Sequence, residues 1–213
     1  QSVPFGQHFF TLMSHTLYDV GLYKFVNPFI WRCPTERLLA LYRDNTSKNH
    51  LEIGIGTGCL LSSTLTAPPQ RLALMDLNAA CLRKSARRLA RFAPTIYQHN
   101  ILEPFTESIA RFDSIGNNYV LHCVCGSFRE KGKAFDHIGA LLADGGTYFG
   151  STVLTHGVAN PLQAKAMIWA LNACDVFHSL EDSLVELESA LRAAFSSVDL
   201  KVYGSSAVFK AVK

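Results

Sequence analysis

The hydrophobic positions of this chain change period several times, and each change marks an element. Residues 5–26 place Phe5, Phe9, Phe10, Tyr18, Tyr23 and Phe25 among other apolar residues at intervals of roughly three and four, the spacing of one helix face. One or two helices are expected there, interrupted at Pro28, and a further helix over 34–42 with Pro34 in its first turn. A polar loop follows at 45–49. Beyond it, short apolar runs alternate with longer amphipathic stretches. The runs predict strands over 50–53, 71–75, 95–99, 112–117 and 147–151, and the stretches predict helices over 57–66, 78–92, 131–142, 160–172 and 181–194. Pro68-Pro69, Pro94 and the tight turn Asp144-Gly145-Gly146 punctuate the gaps. Two last alternating runs, 197–203 and 206–212, meet at Gly204-Ser205-Ser206 and predict an antiparallel hairpin.

Strands alternating with helices predict an α/β fold, a Rossmann-like doubly wound sheet. With the hairpin the sheet has seven strands, and the N-terminal helices form a lid. The whole chain, 1–213, is expected to be a single domain, with a helical cap at 1–44 and the core at 48–213.

The glycine turn in this pattern narrows the ligand. The run His50-Leu51-Glu52-Ile53 leads into Gly54-Ile55-Gly56-Thr57-Gly58, and eighteen residues past Gly58 a second apolar run ends in Asp76. Strand, glycine turn, helix, strand and acid is the arrangement that holds an adenosine ribose. A dinucleotide site needs G-x-G-x-x-G so that a helix N-terminus approaches a pyrophosphate. Here Cys59 stands where that third glycine would fall. The acid at Glu52 suits a cationic ligand better than one carrying phosphates, and S-adenosylmethionine (SAM) carries an ammonium and a sulfonium.

Over about 50–151 the chain resembles the class I SAM-dependent methyltransferases, and again at its C-terminal hairpin. The resemblance implies SAM as cofactor and S-adenosylhomocysteine (SAH) as product. It implies that Gly54, Gly56 and Gly58 meet the methionine portion, with Glu52 before them, and that Asp76, followed by Leu77, accepts the ribose hydroxyls. Asn78 is an equally good helix cap. In His99-Asn100-Ile101, Asn100 occupies the place where the family usually has Asp against the adenine amino group. Its amide oxygen accepts the same bond without charge assistance, and Ile101 packs on the adenine. The segment 112–122 resembles the family's fourth motif, with backbone at Asn117 and Asn118 near the methionine ammonium. The D/N-P-P-Y signature of amino-group methylation on DNA bases or glutamine is absent from it.

His122, just past the sheet's carboxyl edge, is the candidate catalytic base for a phenol or enol; the alternative is a histidine packed beneath the cofactor. Tyr18, Tyr23, Trp31 and Arg32 are expected in the lid, with Tyr18 and Arg32 reaching the cofactor. His156, Trp169 and Phe177 are expected to complete an acceptor pocket for a flat or apolar small molecule. The reading is therefore methyl transfer to a small molecule, at an oxygen of an aromatic or polyketide-like metabolite. The alternatives are a SAM-binding pericyclase or cyclase that transfers no methyl, and a non-catalytic partner subunit.

Composition changes this picture little. Hydrophobic residues make up 48% and charged residues 17% of the 213, enough for a packed core. The net charge of +3 is too small to imply nucleic acid, and the basic run Arg83, Lys84, Arg87, Arg88 and Arg91 reads as a solvated helix face. No apolar run reaches the roughly 18 residues that cross a bilayer, and no signal-peptide pattern precedes the first helices. The chain begins with Gln, which reads as a trimmed start. The six cysteines lack metal-site spacing, so reduced thiols, a cytoplasmic protein and no metal are expected. The aromatic N-terminal face fits a lid or a homodimer contact equally well.

Overall fold

The computed structural model describes residues 15–106 and 108–213; Phe5, Phe9 and Phe10 lie outside them. Seven strands form one sheet in the order β3-β2-β1-β4-β5-β7-β6. These are β1 Asn49–Ile53, β2 Arg71–Asp76, β3 Thr95–Gln98, β4 Phe112–Asn118, β5 Leu142–Val153, β6 Ser197–Tyr203 and β7 Ser206–Val212. The first five pair in parallel, while β7 runs antiparallel to both β5 and β6. The strand order reverses between β1 and β4, so a crevice opens above their carboxyl ends.

Strand alternation divides the core between the two faces. Leu51, Ile53, Ala73, Met75 and Ile115 join one apolar layer with the helices Phe128–Lys131, Lys133–Leu141 and Leu184–Ala194. Leu72, Leu74, Phe149 and Val153 join the other, where Trp31, Leu38, Tyr42 and Ile168 pack. His50 and Glu52 fall on this second face by the same alternation.

The N-terminal region differs from its sequence reading. A short helix, α1 His15–Val20, continues into a wide π-type helix, Gly21–Ile30, that includes Pro28. Proline has no N–H to donate, and in a π-type turn its missing bond would have gone to the carbonyl of Tyr23. The Thr35 hydroxyl donates to that carbonyl instead, so the helix is not interrupted where Pro28 predicted. The next helix is α2 Thr35–Asn45.

Two further boundaries moved. The stretch expected as one helix over 131–142 divides at Gly132, and its first part begins earlier because Ser127 and Glu130 form a reciprocal capping box. Asp144-Gly145-Gly146 is a bulge inside β5 rather than a turn before it. Phe112 pairs with Leu142 and Ser114 with Thr147, so the extra residues on β5 loop out, with Gly145 at φ +74°.

Candidate cofactor site

The glycine turn lies on the β1 side of the crevice. Gly54, Gly56 and Gly58 have φ of +66°, +53° and +71°, a region that L side chains rarely adopt. A Cβ on Gly54 would fall 2.1 Å from Val120 Cγ2, whereas one on Gly56 would meet no atom within 4 Å. The turn is thus locked against the segment after β4 at its first glycine and open at its second. Asp76 ends β2 beside that opening. Its carboxylate accepts the Asn78 backbone N–H at 2.8 Å, with Gly56 and Leu77 as further backbone donors. Burial outweighs these donors and raises its pKa to about 6. Asn78 itself caps the helix Ala79–Arg88, accepting from Ala80 and Cys81. The cap and the acid are therefore separate residues.

Leu77 is half-buried, its carbonyl accepting from the Gln98 amide at 3.1 Å. Asn100 turns its amide oxygen to the Leu102 N–H at 3.0 Å. Ile101 is buried and lines a small cavity with Ile53, Met75 and Phe105.

The β4 side of the crevice is tighter. Asn117 is fully buried, and neither polar atom of its amide has a hydrogen-bond partner among the described residues. Asn118 accepts from the Ser151 hydroxyl. Tyr119 adopts φ +55°, an uncommon conformation for an aromatic residue, and its hydroxyl meets Ser206 Oγ at 3.0 Å. His122 follows, buried, with its ring 4.1 Å from Phe177 between centroids. The Val153 backbone N–H donates to His122 Nδ1 at 3.1 Å, and Thr152 Oγ1 stands 3.2 Å from the same nitrogen. A backbone N–H only donates, so the neutral ring carries its proton on Nε2. Burial first, and the Lys131 charge second, lower the His122 pKa to about 3. The ring is therefore neutral and a much weaker base than the value near 6.5 expected from its position after β4 implies.

The lid reaches the crevice through Asp19. The Thr57 hydroxyl, in the glycine turn, donates to Asp19 Oδ1 at 2.6 Å, and Arg88 reaches Oδ2 at 2.6 Å and the Thr57 carbonyl at 3.0 Å. Arg88 is therefore a clasp between lid and core, not part of a solvated helix face. Tyr18 stands near Cys81 and Cys123, on opposite sides of the crevice, and burial raises its pKa well above 10. Arg32 is placed elsewhere. It is exposed, and its Cβ would lie 2.6 Å from a Cβ on Gly204, in the β6–β7 turn. With β7 three strands from β1, that is about 14 Å across the sheet, so the structure does not bring Arg32 to the glycine turn.

Glu52 also points away from the expected place. Its carboxylate accepts from the Tyr42 hydroxyl, and His50 Nε2 lies 3.1 Å from the other oxygen. His50 Nδ1 in turn meets Ser114 Oγ at 2.8 Å. Both oxygens are committed to this buried network beneath the turn. Of the residues expected around the acceptor, Phe177 lies against His122. His156 and Trp169 instead line a separate groove of about 580 Å³ with Lys165 and Leu180. All six cysteines are free thiols, and no group of three or more metal-ligating side chains occurs among the described residues. No described helix is long and apolar enough to cross a membrane.

A family model described as a methyltransferase domain matches residues 51–148. Methyltransferase aurB of Calcarisporium arbuscula is 36% identical over 92% of this chain and 91% of its own length. The demethylluteothin O-methyltransferase of Streptomyces thioluteus is 35% identical over 99% of this chain and 92% of its own. Among solved structures, an O-methyltransferase family protein from Burkholderia thailandensis superposes with a TM-score of 0.71 at 14% identity, covering 99% of this chain and 64% of that one. The structure titled PigF with SAH gives 0.66 at 20% identity, covering 93% and 59%. This chain spans less than two thirds of either solved chain. The protein belongs to the SAM-dependent methyltransferases that act on small molecules. It is an enzyme of that family with SAM as its cofactor, and the open flank of Gly56 beside the Asp76 carboxylate fits that group.

Proposed function

We propose that this methyltransferase methylates an oxygen of a flat aromatic or polyketide-like molecule. The observation that carries the cofactor half of the reading is the Asp76 carboxylate, held by backbone N–H groups beside the open second glycine. SAM, when bound, supplies a methyl group on a sulfonium. In this reading Asp76 and Leu77 hold the ribose, Asn100 and Ile101 the adenine, and the backbone of Gly54, Gly56, Gly58, Asn117 and Asn118 the methionine portion. Tyr18 closes the crevice from above. Glu52 supports the turn from beneath through Tyr42 and His50.

Oxygen as the methylated atom is supported by relatives named for O-methylation, including the physcion cluster enzyme of Aspergillus chevalieri, 34% identical over 92% of this chain. A relative from Penicillium aethiopicum is named an N-methyltransferase. A flat acceptor is supported by the aromatic wall of Trp31, Phe177 and His122. The protein works by positioning and water exclusion, as one domain with its described N-terminal helices, 15–44, as the cap. Its free thiols suit the cytoplasm. We read no nucleic-acid partner, and a homodimer through the N-terminal face is part of the proposal. The test is stoichiometry: one SAH formed per methylated product supports transfer, and product formed without SAH points to the cyclase alternative.

A further inference from the structure

Methyl transfer to an oxygen needs that oxygen stripped of its proton, and the surroundings of His122 decide where the proton goes. The assignment below rests on the O-methyltransferase reading. His122 Nδ1 is committed to the Val153 N–H, so the ring presents Nε2–H, which donates and does not accept. Protonating Nδ1 would set two N–H groups against each other inside a buried site.

The groups around the ring reinforce this. Lys131, paired with Asp182, acts on it from its helix, Tyr119 from the ring's own turn, Phe177 from the loop above, and Thr152 and Val153 from β5. The His178 backbone N–H holds the His122 carbonyl at 2.7 Å. Burial pushes the Tyr119 pKa up, which keeps it neutral. The charge acting on the ring is that of Lys131, a cation, which opposes a second one on the imidazole.

The other candidate acceptors lie elsewhere or are bonded. Glu52 is bonded to Tyr42 and His50. His156 lines the separate groove with Trp169, its Nε2 against the Leu180 carbonyl at 2.9 Å. His178 Nε2 faces Asp175 at 3.5 Å. Asp76 is held by backbone donors on the far side of the crevice.

We infer that the acceptor is an acidic enol or phenol that arrives already ionised, with the His122 Nε2–H donating to its oxyanion rather than removing its proton. The proton leaves to solvent before binding. The oxyanion then forms its bond to the methyl carbon as the carbon–sulfur bond breaks, its electron pair staying on sulfur. One negative and one positive charge cancel, and no base is needed. His122 is in this account the residue that orients the acceptor oxygen.

The test uses the full chain labelled with ¹⁵N-histidine and saturated with SAH, followed by NMR from about pH 5 to pH 9. The His122 signals are identified by their loss in His122→Gln. Nδ1 unprotonated, Nε2 protonated and no titration across that range is the expected result. A ring that titrates near neutrality, or carries its proton on Nδ1, overturns the inference while leaving the methyltransferase reading intact. Failure of SAH to bind removes both.

Turnover of 4-hydroxycoumarin, 4-nitrophenol and 2-naphthol, in falling order of acidity, is the second readout. The pH limb of kcat/KM should move with the acidity of each acceptor and persist in His122→Gln. One limb common to all acceptors and lost in His122→Gln contradicts the inference. Should none of the three be methylated, the tautomer decides alone.

Discussion

Lys131 and Asp182 meet at 2.7 Å with neither side chain exposed. The same ammonium donates to the carbonyls of Leu121 at 3.0 Å and Val124 at 3.3 Å, so all three of its protons are used. The Asp182 carbonyl accepts the N–H groups of Thr155 and His156. One buried pair therefore ties the turn that carries His122 to the loop that covers it and to the end of β5. Burial lowers the Lys131 pKa and raises that of Asp182 to about 6, each opposed by the attraction of the partner.

Removing one partner of such a pair strands a buried charge, a loss of about 3–5 kcal/mol, whereas replacing both by apolar groups is often neutral. Lys131→Met and Asp182→Leu should each lower stability by about that amount in urea unfolding. Lys131→Met with Asp182→Leu should recover a large part of it. A double variant that loses the sum of the two singles would mean the pair is not coupled.

The clasp on the lid predicts an effect on cofactor exchange. Asp19 is nearly buried between Thr57 and Arg88, and the Arg88 side chain is 31% exposed. Such a pair contributes roughly 1 kcal/mol, which is about a fivefold change in affinity. Asp19→Ala and Arg88→Met should each weaken SAH binding by about this factor, through faster dissociation, and together by little more than one alone. Stopped-flow displacement reads the rate. Dissociation unchanged in both variants would remove the lid from the cofactor cycle.

Asp76 makes cofactor affinity depend on pH. Its pKa in the empty site is raised to about 6, and ribose hydroxyls donate to the charged form, so binding favours the carboxylate. Affinity is then full above about pH 6 and falls as pH drops below it, because a proton must first be lost. Binding at pH 5.5 should release part of a proton, and binding at pH 8 none. Calorimetry in buffers of different ionisation enthalpy measures this, and an Asp76→Asn variant should lose the dependence. Proton uptake on binding would contradict the sign.

The local part of the site was legible in the chain. Three glycines at alternate positions, an apolar run before them and an acid after the next run are short-range signals, and the turn adopts the positive φ values that glycine permits. The C-terminal hairpin was equally plain, its bounds matching the alternation. What the sequence did not reveal was pairing across distance. Arg88 and Asp19 are 69 residues apart and Lys131 and Asp182 are 51 apart. No period links either pair, so Arg88 read as an ordinary charged helix residue and Lys131 was passed over. Glu52 was recognised as special for its place before the turn. Its partner Tyr42 lies on α2, packed against the same face of the sheet that Glu52 points to, which only the packed structure reveals. Pro28 misled for a related reason, since the Thr35 hydroxyl that replaces its missing donor comes from the following helix.

The central claim is a SAM site built on Asp76 and the glycine turn, and calorimetric titration with SAM and SAH tests it most directly. The native chain should bind both in the micromolar range, about −8 kcal/mol. Asp76→Ala should keep its fold by circular dichroism and lose about 2–3 kcal/mol of that, the value of charge-assisted bonds to two hydroxyls. Native binding that Asp76→Ala leaves unchanged, or no binding of either ligand to the native chain, would contradict the account.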